Sequence, residues 1–340
     1  MKILITGMNK NQCTFDFYLK QQLKVVPSHY SLVRALRDMG HEVDQRAVII
    51  GEDLNEYDEV ITFIHNPSGF AGFVYNALWA IHKRPNCILA FDDWQTDSIY
   101  NGLLQLQDPK KLFRKYVKDT HTFIPDDIEK YEQIFIDTLD HIAQKKNRML
   151  ISAFAGGDPT LLIDYNRDLV FTYNPNPYHL NRQTNIKIKQ KEKVFNFAGL
   201  VQGKTKKWLK NQKVEQTDWP LELYGSRKDG QDRVTEDVMV DIYATQWGIL
   251  MPGYFHAGSG WWRARPLQVA DAGSILIGDP KEMLIYYGDE QLANLTAHEV
   301  AQMSDSSLQE IANAQRDALY SLHPLDKEVE KEELSKCLTY

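Results

Sequence analysis

The chain has 340 residues, 43% of them hydrophobic and 25% charged, with a net charge of -7 and a mean hydropathy of -0.45. That length accommodates two α/β domains, and this composition excludes a disordered chain and, with no run of about 18 apolar residues, a membrane span. An isoelectric point near 5.8 excludes a sequence-blind DNA coat, which needs a broad basic field, but leaves room for basic patches on an acidic body.

Met1-Lys2-Ile3-Leu4-Ile5 leads straight into a strand ending at Gly7, with no apolar h-region or cleavage site, so no secretion signal is expected. Ser31 to Met39 places Leu32, Ala35, Leu36 and Met39 on one helical face, and Gly40 stops the helix. Strands follow at Glu42-Val43-Asp44, Tyr57 to Ile64 and Asn86 to Phe91, with a helix over Phe73 to His82. A charged amphipathic helix is expected around 124 to 146, then a strand over Met149 to Phe154. Strand–helix–strand order of this kind implies a parallel sheet with right-handed crossovers.

A second half is expected from about 168, with a strand at Asp168 to Thr172, a stiff Tyr173-Asn174-Pro175-Asn176-Pro177 stretch and a basic linker over Lys187 to Lys193. Further strands are read at Val194 to Gly199, Leu221 to Gly225, Trp247 to Pro252 and Ser274 to Gly278, with a helix over Arg263 to Ala272. The tail from Ser306 to Tyr340 reads as helical and charged, adding no new core. Ligands of doubly wound sheets sit beyond the carboxyl ends of the strands, so the loops after Ile5, Ile64, Phe91, Phe197, Leu223 and Met251 are the candidate site loops.

Four constellations there can carry chemistry. Asp92-Asp93 ends a buried strand, where a carboxylate can take a proton from an attacking hydroxyl or cap the next helix. Gly258 to Gly273 brings a glycine-bearing loop into a helix with Arg263 and Arg265 at its entrance. Pro266 suits an early helical position, and helix amides plus guanidinium make a diphosphate site. Gln268, three residues on, shares the face of Arg265 and can reach a ribose. Ala198 to Lys207 is a second strand–Gly loop–basic helix start, either a phosphate site through Gln202, Lys204 and Lys206 or a solvated basic face; it does not fit a P-loop. The loops carrying Ser28, before the first helix, and His65-Asn66 can line an acceptor side. The ten histidines show no metal-binding spacing, so no tightly bound metal is expected, with stimulation by a divalent cation left open. Cys13, Cys87 and Cys337 are too scattered for a disulfide framework or a zinc site and read as reduced cytoplasmic thiols.

In chain order these residues resemble the DNA β-glucosyltransferases of T-even phages, which act on 5-hydroxymethylcytosine. The resemblance runs from Met1-Lys2-Ile3 through Val26-Pro27-Ser28, Met39-Gly40, Val43-Asp44 and the Asn66 to Gly72 loop. It continues at Phe91-Asp92-Asp93, where the family has its catalytic aspartate, and at Phe197-Ala198-Gly199 and Leu223-Tyr224-Gly225. Arg265 and Gln268 fall on the arginine and glutamate that hold the family's uridine nucleotide. The chain departs from the pattern where the family's serine and arginines become Leu200, Gln202 and Lys206, and where Gln268 replaces a carboxylate. Lysine binds phosphate as a point charge, without the bidentate fork of arginine.

The resemblance implies a GT-B fold, two Rossmann-like doubly wound domains facing a central cleft. It assigns 1–167 to the acceptor DNA, 168–310 to the nucleotide sugar, and 311–340 to a helical tail returning to the first domain. It implies transfer of a sugar, glucose or a pentose such as arabinose, from its UDP donor to the hydroxymethyl group of a base flipped out of double-stranded DNA. Asp93 would be the base; Gly199, Gln202, Lys204, Lys206, Tyr224, Gly225, Arg263, Arg265 and Gln268 would bind the donor. Ser28, His65, Asn66, Asp92, Lys111 and Arg114 would meet the acceptor. The expected state is a monomer with no membrane partner, in the host cytoplasm if phage-encoded. The alternative is a glycosyltransferase with a glycan, lipid or protein acceptor.

Overall fold

Lys2-Ile3-Leu4-Ile5-Thr6 is almost wholly buried, as a strand covered on both faces must be, and it forms β1 (Lys2–Thr6). The computed structural model describes residues 1–7, 28–46, 49–64, 71–91, 128–152, 165–173, 190–199, 203–224, 236–252 and 265–340. After β1 come α1 (Ser28–Asp38), β2 (Glu42–Gln45), β3 (Glu59–Phe63), α2 (Ala71–Lys83) and β4 (Ile88–Phe91). Next are α3 (Ile128–Ala143), β5 (Met149–Ser152) and β6 (Val170–Tyr173). These strands form one parallel sheet in the order β2-β1-β3-β4-β5-β6. Leu78, Trp79 and Ile81 of α2 and Phe135 and Ile142 of α3 pack with Leu89, Phe91, Met149 and Ile151 of the sheet.

The second run is β7 (Glu192–Ala198), α4 (Gly203–Asn211), β8 (Leu221–Tyr224), α5 (Glu236–Tyr243), β9 (Gln246–Met251), α6 (Arg265–Ala272) and β10 (Ile275–Gly278). Its sheet is also parallel, in the order β10-β9-β7-β8. Helices α7 (Pro280–Tyr287), α8 (Glu290–Ala293), α9 (Ala297–Ala301), α10 (Asp305–Leu322) and α11 (Lys327–Thr339) complete the chain. Phe195, Phe197, Leu250, Ile275 and Ile277 build this second core with Leu209, Trp219, Ala297, Val300, Leu308 and Ala312.

Contacts divide the chain into two compact units, with β1–β6 and Asp326–Tyr340 in one and Leu180–Leu325 in the other. This differs from a boundary at 168, because β6 pairs with β5 in register Met149↔Val170 to Ser152↔Tyr173. It also splits the expected 311–340 tail. Helix α10 is part of the second core through Leu308 and Ala312, whereas α11 packs on β6 and α1 of the first unit.

Each sheet has an edge closed by a helix. In the first, Arg148 before β5 donates to Cys337 O of α11 at 2.8 Å and pairs with Glu59 at 2.5 Å, both side chains largely buried. In the second, the Gln315 amide of α10 takes the place of a neighbouring strand: Leu276 N–H donates to its Oε1 and its Nε2 donates to Leu276 O, each at 2.9 Å. That device satisfies both free main-chain groups of an edge residue.

Lys191, just before β7, was expected in a polar linker. Its ammonium is instead mostly buried, donating to Tyr243 O at 3.1 Å, Ala272 O at 2.9 Å and Ser274 Oγ at 2.7 Å. Tyr243 and Ala272 are the last residues of α5 and α6, so one cation serves two helix carboxyl ends. Among the described residues no helix is long and apolar enough to cross a membrane.

Candidate functional site

Strand order reverses between β7 and β9, which opens a crevice at the carboxyl ends of those strands in the second unit. β7 ends at Ala198, and Gly199 turns the chain with φ at +151°, where a Cβ would lie 2.8 Å from the Phe197 ring. Only glycine meets both conditions without strain. The Gly199 N–H donates to Tyr224 O at 2.8 Å and ties the turn to the end of β8.

Arg265 is the first residue of α6, followed by Pro266 at the position that suits proline. Its guanidinium donates to Ala198 O at 2.9 Å. A guanidinium has five N–H donors, so one bond to the strand end fixes the group and leaves others for an anion. The α6 amino terminus adds main-chain N–H groups and the positive end of a helix dipole. Gly199, Tyr224 and Arg265 thus meet around Ala198, and the arrangement can hold a phosphate-bearing ligand. Gln268 lies on α6 and is 4% exposed. Lys206 is exposed on α4, and Lys204 falls in the first turn of that helix.

Ser28 is the first residue of α1, so the helix begins earlier than its apolar face indicates. Asp92, Asp93, His65, Asn66, Lys111, Arg114, Gln202, Gly225 and Arg263 lie outside the described residues. In the first unit the order reverses between β1 and β3. There Gly7, with φ at +82°, lets β1 pass so close that a Cβ would be 2.3 Å from Phe63 O. Thr6 and Thr62, register partners at these strand ends, are fully buried. Among the described residues no group of three or more histidine, cysteine, aspartate or glutamate side chains can hold a metal ion.

Glu222, Gln246 and Asn196, which sequence reasoning passed over, are polar side chains of this sheet joined by hydrogen bonds. Alternation in Leu221-Glu222-Leu223-Tyr224 was the signal available: it puts Glu222 and Tyr224 on one face.

Two parallel, doubly wound sheets in a single chain place the protein in the GT-B fold class. The particular likeness is to bacteriophage T4 β-glucosyltransferase. One T4 structure, described for substrate binding and a proposed catalytic mechanism, matches with a TM-score of 0.58, and a complex with UDP-glucose matches with 0.54. A third, of the DNA-modifying enzyme β-glucosyltransferase with and without uridine diphosphoglucose, gives 0.55. Each is 12% identical, with 100% of both chains covered, a likeness of fold across both halves. No protein-family model and no curated protein matches the sequence.

Proposed function

We propose that the protein is a DNA-modifying glycosyltransferase that moves a sugar from a UDP-sugar to the hydroxymethyl group of 5-hydroxymethylcytosine in duplex DNA. The observation that carries this reading is Arg265, tethered to Ala198 O beside Gly199 at the strand-order reversal of the second sheet. It sits in a fold similar along its whole length to a DNA-modifying enzyme solved with UDP-glucose. Glucose and a pentose such as arabinose are the candidate sugars. In this reading the second unit binds the nucleotide and the first unit receives the DNA, with Ser28, His65, Asn66, Asp92, Lys111 and Arg114 toward the acceptor. The protein acts as a monomer, in the host cytoplasm if phage-encoded.

The reaction is a single displacement. Asp93 takes the proton of the hydroxymethyl group of a base turned out of the stack. The freed oxygen attacks the anomeric carbon, whose bond to the diphosphate breaks. Arg265, Arg263, Lys204 and Lys206, with the α6 amino terminus, stabilise the charge that gathers on the departing UDP. Gly199, Gln202, Tyr224, Gly225 and Gln268 shape the rest of the donor site.

The test is incubation with UDP-glucose and UDP-pentoses and duplex DNA containing 5-hydroxymethylcytosine, followed by mass spectrometry of the digested nucleosides. A hexose or pentose increment is expected. Asp93→Ala should lower turnover by about 100-fold or more while UDP affinity holds. UDP binding with no increment from any donor would replace DNA with another acceptor.

A further inference from the structure

Asn196, Gln246, Glu222 and Tyr224 form a hydrogen-bonded line across β7, β9 and β8, on the sheet face opposite Phe195 and Phe197. Tyr224 Oη donates to Glu222 Oε2 at 2.5 Å, and Gln246 Nε2 donates to the same oxygen at 2.6 Å. Asn196 Nδ2 donates to Gln246 Oε1 at 2.9 Å. The direction of the line is set by Glu222, because a carboxylate only accepts. Burial and then the bond to Glu222 push the Tyr224 hydroxyl up to about 12, so it stays a donor at neutral pH.

This line is expensive. Asn196 is fully buried and its Oδ1 has no hydrogen-bond partner among the described residues, a penalty of about 1–3 kcal/mol that apolar side chains would avoid. A polar line kept at that cost points to a duty beyond stability, and its outer end shows which. Tyr224 is half-buried at the carboxyl end of β8. Its main-chain carbonyl holds Gly199, and the preceding Ala198 carbonyl holds Arg265. With its hydroxyl turned back along the strand to Glu222, the tyrosine has its polar tip engaged and its half-buried ring held in place. A fixed aromatic face beside an anion site suits a flat base attached to a phosphate.

We propose that Glu222 is a positioning residue of the donor site: through Tyr224 Oη it holds the tyrosine ring as the platform for the donor's nucleobase. The proposal rests on the nucleotide-site reading above. Titration calorimetry with UDP and, separately, inorganic pyrophosphate tests it, because only UDP carries a base.

Glu222→Ala and Tyr224→Phe should each weaken UDP binding about tenfold and leave pyrophosphate within roughly twofold, the range of a stacking contact. The double variant should be no worse than either single one, since both cut the same bond. Glu222→Gln, which keeps an acceptor oxygen, should recover most of the affinity. Tyr224→Phe removes a single oxygen, so it answers the question even if Glu222→Ala fails to fold. Unchanged UDP affinity in Tyr224→Phe overturns the proposal, and so does an equal loss for both ligands. A wild-type protein that binds pyrophosphate as tightly as UDP overturns the platform but spares the anion site. One that binds neither brings down the nucleotide reading together with the proposal.

Discussion

The two sheets are both parallel and both reverse strand order at a glycine-bearing strand end, yet they are finished differently. The first sheet's β6 edge is covered by the last helix of the chain, α11, held through Arg148. The second sheet's β10 edge is completed by Gln315 from the helical run that follows it. At the strand ends the contrast repeats. The first unit presents the buried threonines Thr6 and Thr62, whereas the second tethers a cation, Arg265, to its strand end. One topology thus carries two kinds of closure, remote in the first unit and local in the second.

The sharpest way to break the comparison is Arg148→Ala. It strands Glu59 in a mostly buried site and releases Cys337 O, so urea unfolding should show a loss of about 3–5 kcal/mol. Hydrogen exchange should rise over Lys327–Thr339 and stay unchanged across the second sheet. Arg265→Ala should leave stability nearly intact and weaken UDP binding by about 2–4 kcal/mol in calorimetry, which would confine the cation's role to the crevice.

Gln315→Leu leaves the Leu276 N–H and C=O without partners and should cost about 2–3 kcal/mol, with faster exchange along β10. A cost above that of Arg148→Ala would reverse the ranking of the two edges. The smallest effect concerns Lys191. Burial lowers its pKa from 10.5 to about 8, so between those values the unfolded chain holds a proton that the folded chain has released. Stability should therefore rise with pH across that window, by on the order of 2 kcal/mol once the full linkage value of about 3 kcal/mol is discounted for the partial exposure of the ammonium, relative to the curve of Lys191→Met. Parallel curves would mean that the carbonyl cage keeps the ammonium charged.

Most strands were legible because both faces are buried and their apolar runs stand out, as in Ile3 to Ile5, Val60 to Phe63 and Ile275 to Ile277. Helix α6 was legible from Arg265-Pro266 at its entrance. What stayed hidden depended on partners distant in sequence. β6 is a strand either way, and the residues Val170 to Tyr173 do not say which sheet they join. Gln315 fell in a tail expected to add no core and Lys191 in a polar linker, because a polar side chain buried against main-chain carbonyls or amides leaves no periodic signature. In the candidate site, Gly199, Tyr224 and Arg265 were marked by glycine and helix-entry signals, whereas Glu222 was just the polar half of an alternating strand.

The place of α11 has a consequence for synthesis. A nascent chain is made from β1 onward, and amino-terminal domains ordinarily fold first. Here the second unit, through α10, has all its parts while α11 is still to be made. The amino-terminal sheet waits for the final helix to cover β6, so the half made first is the half completed last. A ribosome that stops before Lys327 releases a protein with a finished second unit and an open edge on the first.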